Sequence, residues 1–194
     1  MGAVTWSIPA RLALVIAEQC GARAFVETGT YKGVTALWAA ANFDHVWTVE
    51  GDPKRFNVLD TLANPKITTR LGDSPAELPG MLAEAGAPAL IWLDAHWTGH
   101  AEHPPVNGIE CPVVEEIKAV NASAHAAEHA IMIDDANFFT TPGRIVNYRD
   151  WPTLDVIMRE LLAADRYVFI KDDVICAVPG ALRDSVRDRV VKHA

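Results

Sequence analysis

The chain has 194 residues, half hydrophobic and 22% charged, the balance of an ordinary globular protein with length enough for one core, so a single domain over 1–194 is expected. No apolar run approaches the roughly 20 residues of a membrane span, and a formal charge of −8 opposes the counterion release that drives nucleic-acid binding. Membranes and large polyanions are therefore excluded as expected partners, whereas a small ligand is not, because net charge says little about one pocket.

The first element in chain order is an amphipathic helix from about Pro9 to Cys20, closed by Gly21 as a left-handed C′ residue. No basic stretch precedes its apolar run, so it reads as a helix and not as a signal peptide, and the cytoplasm is the expected address. Ala24–Thr28 follows as a strand, and Gly29-Thr30-Tyr31-Lys32-Gly33 leads into a helix over Val34–Asn42. The second strand is His45–Glu50, after which Asp52-Pro53 starts a helix to about Ala63. Ile67–Leu71 is the third strand, and Ser74-Pro75-Ala76-Glu77 has the form of a capping box for a helix to Ala85.

Ala89–Leu93 is the fourth strand, a loop rich in His, Gly and Pro covers 95–110, and a helix runs from Pro112 to about Ala126. His129–Ile133 is the fifth strand, followed by a long loop over 136–151 and a helix over Pro152–Ala164. The runs Arg166–Lys171 and Val174–Val178 are spaced as a hairpin around Asp172-Asp173. Five β–α units ending in a hairpin imply a mostly parallel sheet with helices on both faces, a doubly wound α/β three-layer sandwich. The three cysteines form no CxxC pair and are expected as reduced thiols.

In such sheets ligands bind beyond the carboxyl ends of the strands, near the point where strand order reverses. There Glu27-Thr28-Gly29-Thr30-Tyr31-Lys32-Gly33 gives an ExGxxxG turn, in which glycines allow a sharp bend and close approach of a ligand. It is neither the dinucleotide nor the phosphate-loop pattern, and by itself it also reads as a plain strand-to-helix turn. Glu50 ends the second strand, where a carboxylate can accept both hydroxyls of a ribose. Asp52 reads as the helix cap, and Asp73 either as a partner for an exocyclic amine or as a turn residue beside Ser74.

The order Glu27/Gly29/Gly33, Glu50, Asp73, Asp94 resembles the class I methyltransferases that use S-adenosylmethionine, over about residues 24–178. The resemblance implies a Rossmann-like sheet of seven strands in the order 3-2-1-4-5-7-6 with an antiparallel last strand. It implies too that Glu27, Gly29 and Gly33, with Tyr31 between them, border the methionine part of the cofactor, Glu50 the ribose, and Asp73 with Ser74 the adenine. Small bacterial proteins of this superfamily share the narrower echo of WLDAHWTG, ECP, IDDA and WPTL.

Strand four ends at Asp94 and strand five at Asp134-Asp135, which neighbouring strands would bring to one rim. Like charges so close repel unless protons or a hard cation neutralise them, and a magnesium ion (Mg2+) is an apt candidate. The trio is similar to that of the divalent-metal-dependent O-methyltransferases of the catechol and macrolide-sugar types, which implies a metal at Asp94, Asp134 and Asp135 and a hydroxyl as methyl acceptor. Catechol-type enzymes carry a lysine base three residues past the first aspartate; here that position is Trp97, and His96 is the nearest base, beside Asp94. His100, Glu102, His103, Glu110 and Cys111 match no zinc pattern and read as a loop wall with Trp97. Asn137, Phe138, Phe139, Arg144, Tyr148 and Trp151 read as the opposite wall or as ordinary core.

The expectation is thus a methyltransferase acting, with Mg2+, on a small hydroxylated molecule such as a sugar or natural-product intermediate, with a homodimer compatible with the chain. Two alternatives stay open: a metal-independent methyltransferase, in which Asp94 touches cofactor or substrate directly, and a nucleotide- or adenosylmethionine-binding domain without methyl transfer.

Overall fold

The runs AFVET, ALIWL and AIMI form strands buried at every position, as a parallel sheet covered on both faces requires. The structure is a computed structural model that describes residues 7–59, 63–86, 88–97, 99, 102–140 and 150–192. Its strands are β1 (Ala24–Thr28), β2 (His45–Glu50), β3 (Ile67–Leu71), β4 (Ala89–Leu93), β5 (Ala130–Ile133), β6 (Arg166–Lys171) and β7 (Val174–Pro179). They form one sheet in the order β3-β2-β1-β4-β5-β7-β6. Pairing is parallel from β3 through β5, and β7 runs antiparallel to both β5 and β6. Both the expected order and the antiparallel end are present. The direction in which strands are added reverses between β1 and β4, so those two ends mark the ligand crevice of such a sheet.

The helices are α1 (Ala10–Cys20), α2 (Val34–Asn42), α3 (Pro53–Leu59), α4 (Ser74–Ala85), α5 (Val113–Asn121), α6 (Ala136–Thr140), α7 (Leu154–Leu162) and α8 (Arg183–Lys192). Alternation along the strands sorts the core into two faces. Val26, Val49, Ile91, Ile131 and Ile175 pack with Leu78 and Met81 of α4, Ile117 of α5 and Leu161 of α7. Phe25, Val46, Leu90, Trp92 and Met132 pack with Ile16 of α1, Ala39 of α2 and Val186 of α8. Burying both faces supplies the hydrophobic term, at about 25 cal/mol per Å² of apolar surface, that offsets the ordering of so many backbone residues.

Several boundaries differ from the sequence expectation. Helix α5 stops at Asn121 although an alanine-rich stretch follows; the Arg166 guanidinium donates to the Ala126 carbonyl at 2.8 Å and to Asn121 Oδ1 at 2.6 Å, holding the segment in successive turns. Helix α3 has ended before Ala63, whose φ of +32° is not helical. The capping box at Ser74 does not form: Asp73 is the N-cap, makes no side-chain cap bond, and Glu77 pairs with Arg70 at 3.2 Å. The 136–151 loop contains α6, and α8 lies beyond the hairpin, whose turn residues Asp172 and Asp173 both have positive φ as a tight turn demands.

Candidate active site

The turn after β1 is built on Gly29. Its φ is +83°, its N–H donates to the Val49 carbonyl at 2.9 Å, and a Cβ there would lie 2.2 Å from the Asp94 carbonyl oxygen. Only glycine lets the exit of β1 pass so close to the exit of β4. Asp94 is tied back in turn, its N–H donating to both the carbonyl and the hydroxyl of Thr28 at 3.1 and 3.2 Å. Gly33, with φ +72°, precedes α2.

Glu50 is 5% exposed and fixed by two backbone donors, the N–H of Tyr31 to Oε2 at 2.8 Å and the N–H of Asp52 to Oε1 at 2.9 Å. A carboxylate has about four acceptor sites, so each oxygen keeps capacity for one more donor, such as a ribose hydroxyl. Tyr31 serves this site through its main chain at φ +49°, while its exposed ring meets the cations of Lys32 and Arg55. Glu27 lies beneath the turn and not on its surface. It is buried, accepts the Thr48 hydroxyl at 2.6 Å, and burial pushes its carboxyl up to about 8 against the pull of that bond. A cation arriving above Glu27 would favour its ionised form.

At the ends of β2 and β3 the two aspartates have partners in the 102–110 segment. The His103 Nδ1–H donates to Asp52 Oδ2, while Asp52 Oδ1 accepts the Lys54 N–H at 2.8 Å as the start of α3. Asn107 donates to Asp73 Oδ2 at 3.1 Å. Ser74 is buried, with its hydroxyl directed to the carboxyl of Glu116 on α5.

On the other side of the crevice the expected acids do converge. The His96 Nε2–H donates to Asp135 Oδ2 at 2.9 Å and lies 3.7 Å from Asp94 Oδ1. Asp135, at φ +55°, donates its own N–H to Asp134 Oδ1 at 2.8 Å. The imidazole is 7% exposed and packs 5.0 Å from the Trp151 ring. Burial alone would lower its pKa, but the bond to Asp135 and the charges of Asp94 and Asp134 override it and lift the ring to about 9. Burial raises Asp94, with His96 opposing and Asp134 adding to the rise; burial and Asp135 raise Asp134. The His96 Nε2–H bond and the upward shifts of Asp94 and Asp134 thus both ease the repulsion within the cluster in this arrangement. Among the described residues no three His, Cys, Asp or Glu side chains are disposed to hold a metal ion. A dication at Asp94, Asp134 and Asp135 does not fit unless His96 leaves its place between them.

Of the two loop walls, Trp97 holds the first together, its indole N–H donating to the His103 carbonyl at 2.8 Å and its backbone N–H to that of Glu110 at 2.7 Å. Phe139 of the second is core, and Phe138 and Trp151 stack edge to face at 5.4 Å. His100, Arg144 and Tyr148 lie outside the described residues. Sequence reasoning missed Glu116, a buried carboxyl whose Oε1 has no hydrogen-bond partner and whose pKa burial raises. The signal was present: Val113, Glu116, Ile117 and Val120 are the stripe of α5 that faces the core. It missed Asp173 too, whose backbone carbonyl receives the Ala136 N–H and whose Oδ1 receives the Asn137 N–H, at 2.8 Å each, so that it anchors the first turn of α6 beside Asp135.

No protein-family model matches the chain, and no curated protein does. Solved structures do match. An O-methyltransferase from Bacillus cereus in complex with SAH superposes with a TM-score of 0.55 at 20% identity, over 87% of this chain and 79% of that one. TomG from Streptomyces achromogenes, an O-methyltransferase involved in tomaymycin synthesis and solved with SAM, gives 0.54 at 18% identity over 88% and 79%. SAM-bound CalS10 from Micromonospora echinaspora, an amino pentose methyltransferase involved in calicheamicin biosynthesis, gives 0.55 at 12% identity over 88% and 89%. With the strand order, the antiparallel β7 and these superpositions together, the chain has the class I methyltransferase fold, of the kind found in O-methyltransferases.

Proposed function

We propose that the protein is an S-adenosylmethionine-dependent methyltransferase acting on a hydroxyl of a small molecule. The observation that carries the reading is the placement of a locked carboxylate, Glu50, and a histidine bonded between carboxylates, His96, on opposite sides of the β1/β4 crevice. When bound, the cofactor supplies an electrophilic methyl group on a sulfonium. Glu50 accepts the ribose hydroxyls with its two remaining acceptor sites. The glycine at position 29 lets the ends of β1 and β4 close against each other at the crevice, since a Cβ there would meet the Asp94 backbone. His96 takes the hydroxyl proton as the acceptor oxygen is methylated, and Asp135 fixes the orientation of its ring. A positive charge in the crevice would disfavour a second proton on the ring, so that Nε2–H stays bonded to Asp135 and the other ring nitrogen is left to accept the hydroxyl proton.

Calorimetry with S-adenosylhomocysteine is the direct test. The unaltered protein binds it, and Glu50→Ala weakens binding by about 100-fold, since the ribose loses its partner. Equal affinity in the variant would remove Glu50 from the site. Binding without turnover on any hydroxylated acceptor would instead favour a binding domain. A second reading, with magnesium at Asp94, Asp134 and Asp135, is favoured by the convergence of these three acids and requires His96 to swing out. Activity abolished by a chelator and restored by Mg2+ supports that reading; activity indifferent to chelation supports His96 alone.

A further inference from the structure

We propose that the 102–110 segment is the outer wall of the adenosyl subsite, and that its seat on the ends of β2 and β3 sets how long an adenosyl ligand stays bound; the inference rests on the methyltransferase reading above. Three contacts form the seat, and all lie within two residues of a strand end. Val106 packs on Gly51, His103 donates to Asp52, and Asn107 donates to Asp73.

Gly51 is the informative one. It does not have the positive φ that would call for glycine, and the first atom that an added Cβ would meet is Val106 Cγ2 at 2.3 Å. The next backbone atom, the Gly72 oxygen, is 3.5 Å away, an ordinary contact. The missing side chain at position 51 is therefore explained by the valine above it. The segment itself is a closed unit: Gly108 and Ile109 donate to the carbonyls of Pro105 and Val106 at 3.1 and 3.0 Å, and Trp97 grips both ends through His103 and Glu110. Compact loops with ends drawn together are packed by their own side chains. Gly51 and Asp52 directly follow Glu50, so a ribose held by Glu50 lies against this wall, and release of the ligand passes it.

The test is the dissociation rate of S-adenosylhomocysteine from Gly51→Ala, Val106→Ala and the double variant, read in a displacement experiment. Gly51→Ala is expected to speed dissociation by about tenfold, because the new methyl lifts Val106 from its seat. Val106→Ala has a smaller effect, and combining the two removes most of the Gly51→Ala defect, since the methyl then fills the space vacated. A Gly51→Ala protein with the unaltered rate, or a double variant that keeps the whole defect, would overturn the proposal. Amide exchange at Gly108 and Ile109 gives a readout that needs no ligand: it is expected to quicken in Gly51→Ala and to recover in the double variant, and no change there overturns the seat as well. If the unaltered protein bound no S-adenosylhomocysteine, the methyltransferase reading would fall, and the exchange data would still decide whether Val106 on Gly51 anchors the segment.

Discussion

His96 stands among three carboxylates at the strand ends, its ring bonded to Asp135 and 3.7 Å from Asp94. Removing it should be felt in turnover before it is felt in ligand affinity. His96→Ala is expected to lower kcat by about 100-fold or more, the scale of a lost general base, with S-adenosylhomocysteine affinity nearly unchanged. Rates measured at saturating cofactor check this, and a variant of normal kcat would acquit the histidine. The sequence made His96 legible as a candidate because it lies two residues past a strand-end aspartate. It could not show the ring bonded to Asp135, 39 positions away, since that depends on the β4 and β5 ends lying side by side.

Elements were readable where one interaction dominates and misread where tertiary contacts override local preference. Strands β1 through β4 have the expected bounds because β-branched and apolar residues dominate short runs that turn residues bound. The α5 overrun followed alanine propensity, a weak prior, whereas the chain turns after Asn121 and the buried Arg166 meets the Ala126 carbonyl and Asn121 Oδ1. Glu116 was hidden by the same logic in reverse, a charged letter inside an apolar stripe. Loop contacts such as His103 to Asp52 join residues 51 apart and have no periodic signature at all. At this scale the hairpin turn between β6 and β7 matters to the site, because Asp173 holds the first turn of α6 next to Asp135. Asp173→Ala should cost about 1–2 kcal/mol of stability, the worth of a helix cap, and reduce kcat more than it raises the cofactor KM. Thermal melts and steady-state kinetics check both parts, and an undisturbed kcat would separate the turn from the acid rim.

Across the whole molecule, the two ends of the sheet do different work. The carboxyl ends carry the candidate chemistry, whereas the opposite end closes on His129, which is 1% exposed with neither ring nitrogen hydrogen-bonded. Burial, with the charges of His125 and Arg166 adding to it, lowers its pKa to about 4. The folded protein keeps this ring neutral while the unfolded chain protonates it near about 6.5. Its share of stability is therefore full above about 6.5 and is lost as pH falls toward 4, an acid-side loss on the order of 3 kcal/mol. Urea midpoints between pH 7 and 4 measure it, and His129→Leu should flatten the curve; an equal slope in the variant would assign the acid sensitivity elsewhere. Among the described residues no helix is long and apolar enough to cross a membrane.

Strand β7 occupies the place between β5 and β6, so the last strand made closes the edge of one made much earlier. On the ribosome, Ile131, Met132 and Ile133 emerge long before their neighbour, and until Val174 onward follows they present a row of unpaired amides flanked by oily side chains. The growing chain is then most exposed to sticking to other unfinished copies, and slow translation or a shortage of chaperones during that interval should appear as insoluble product.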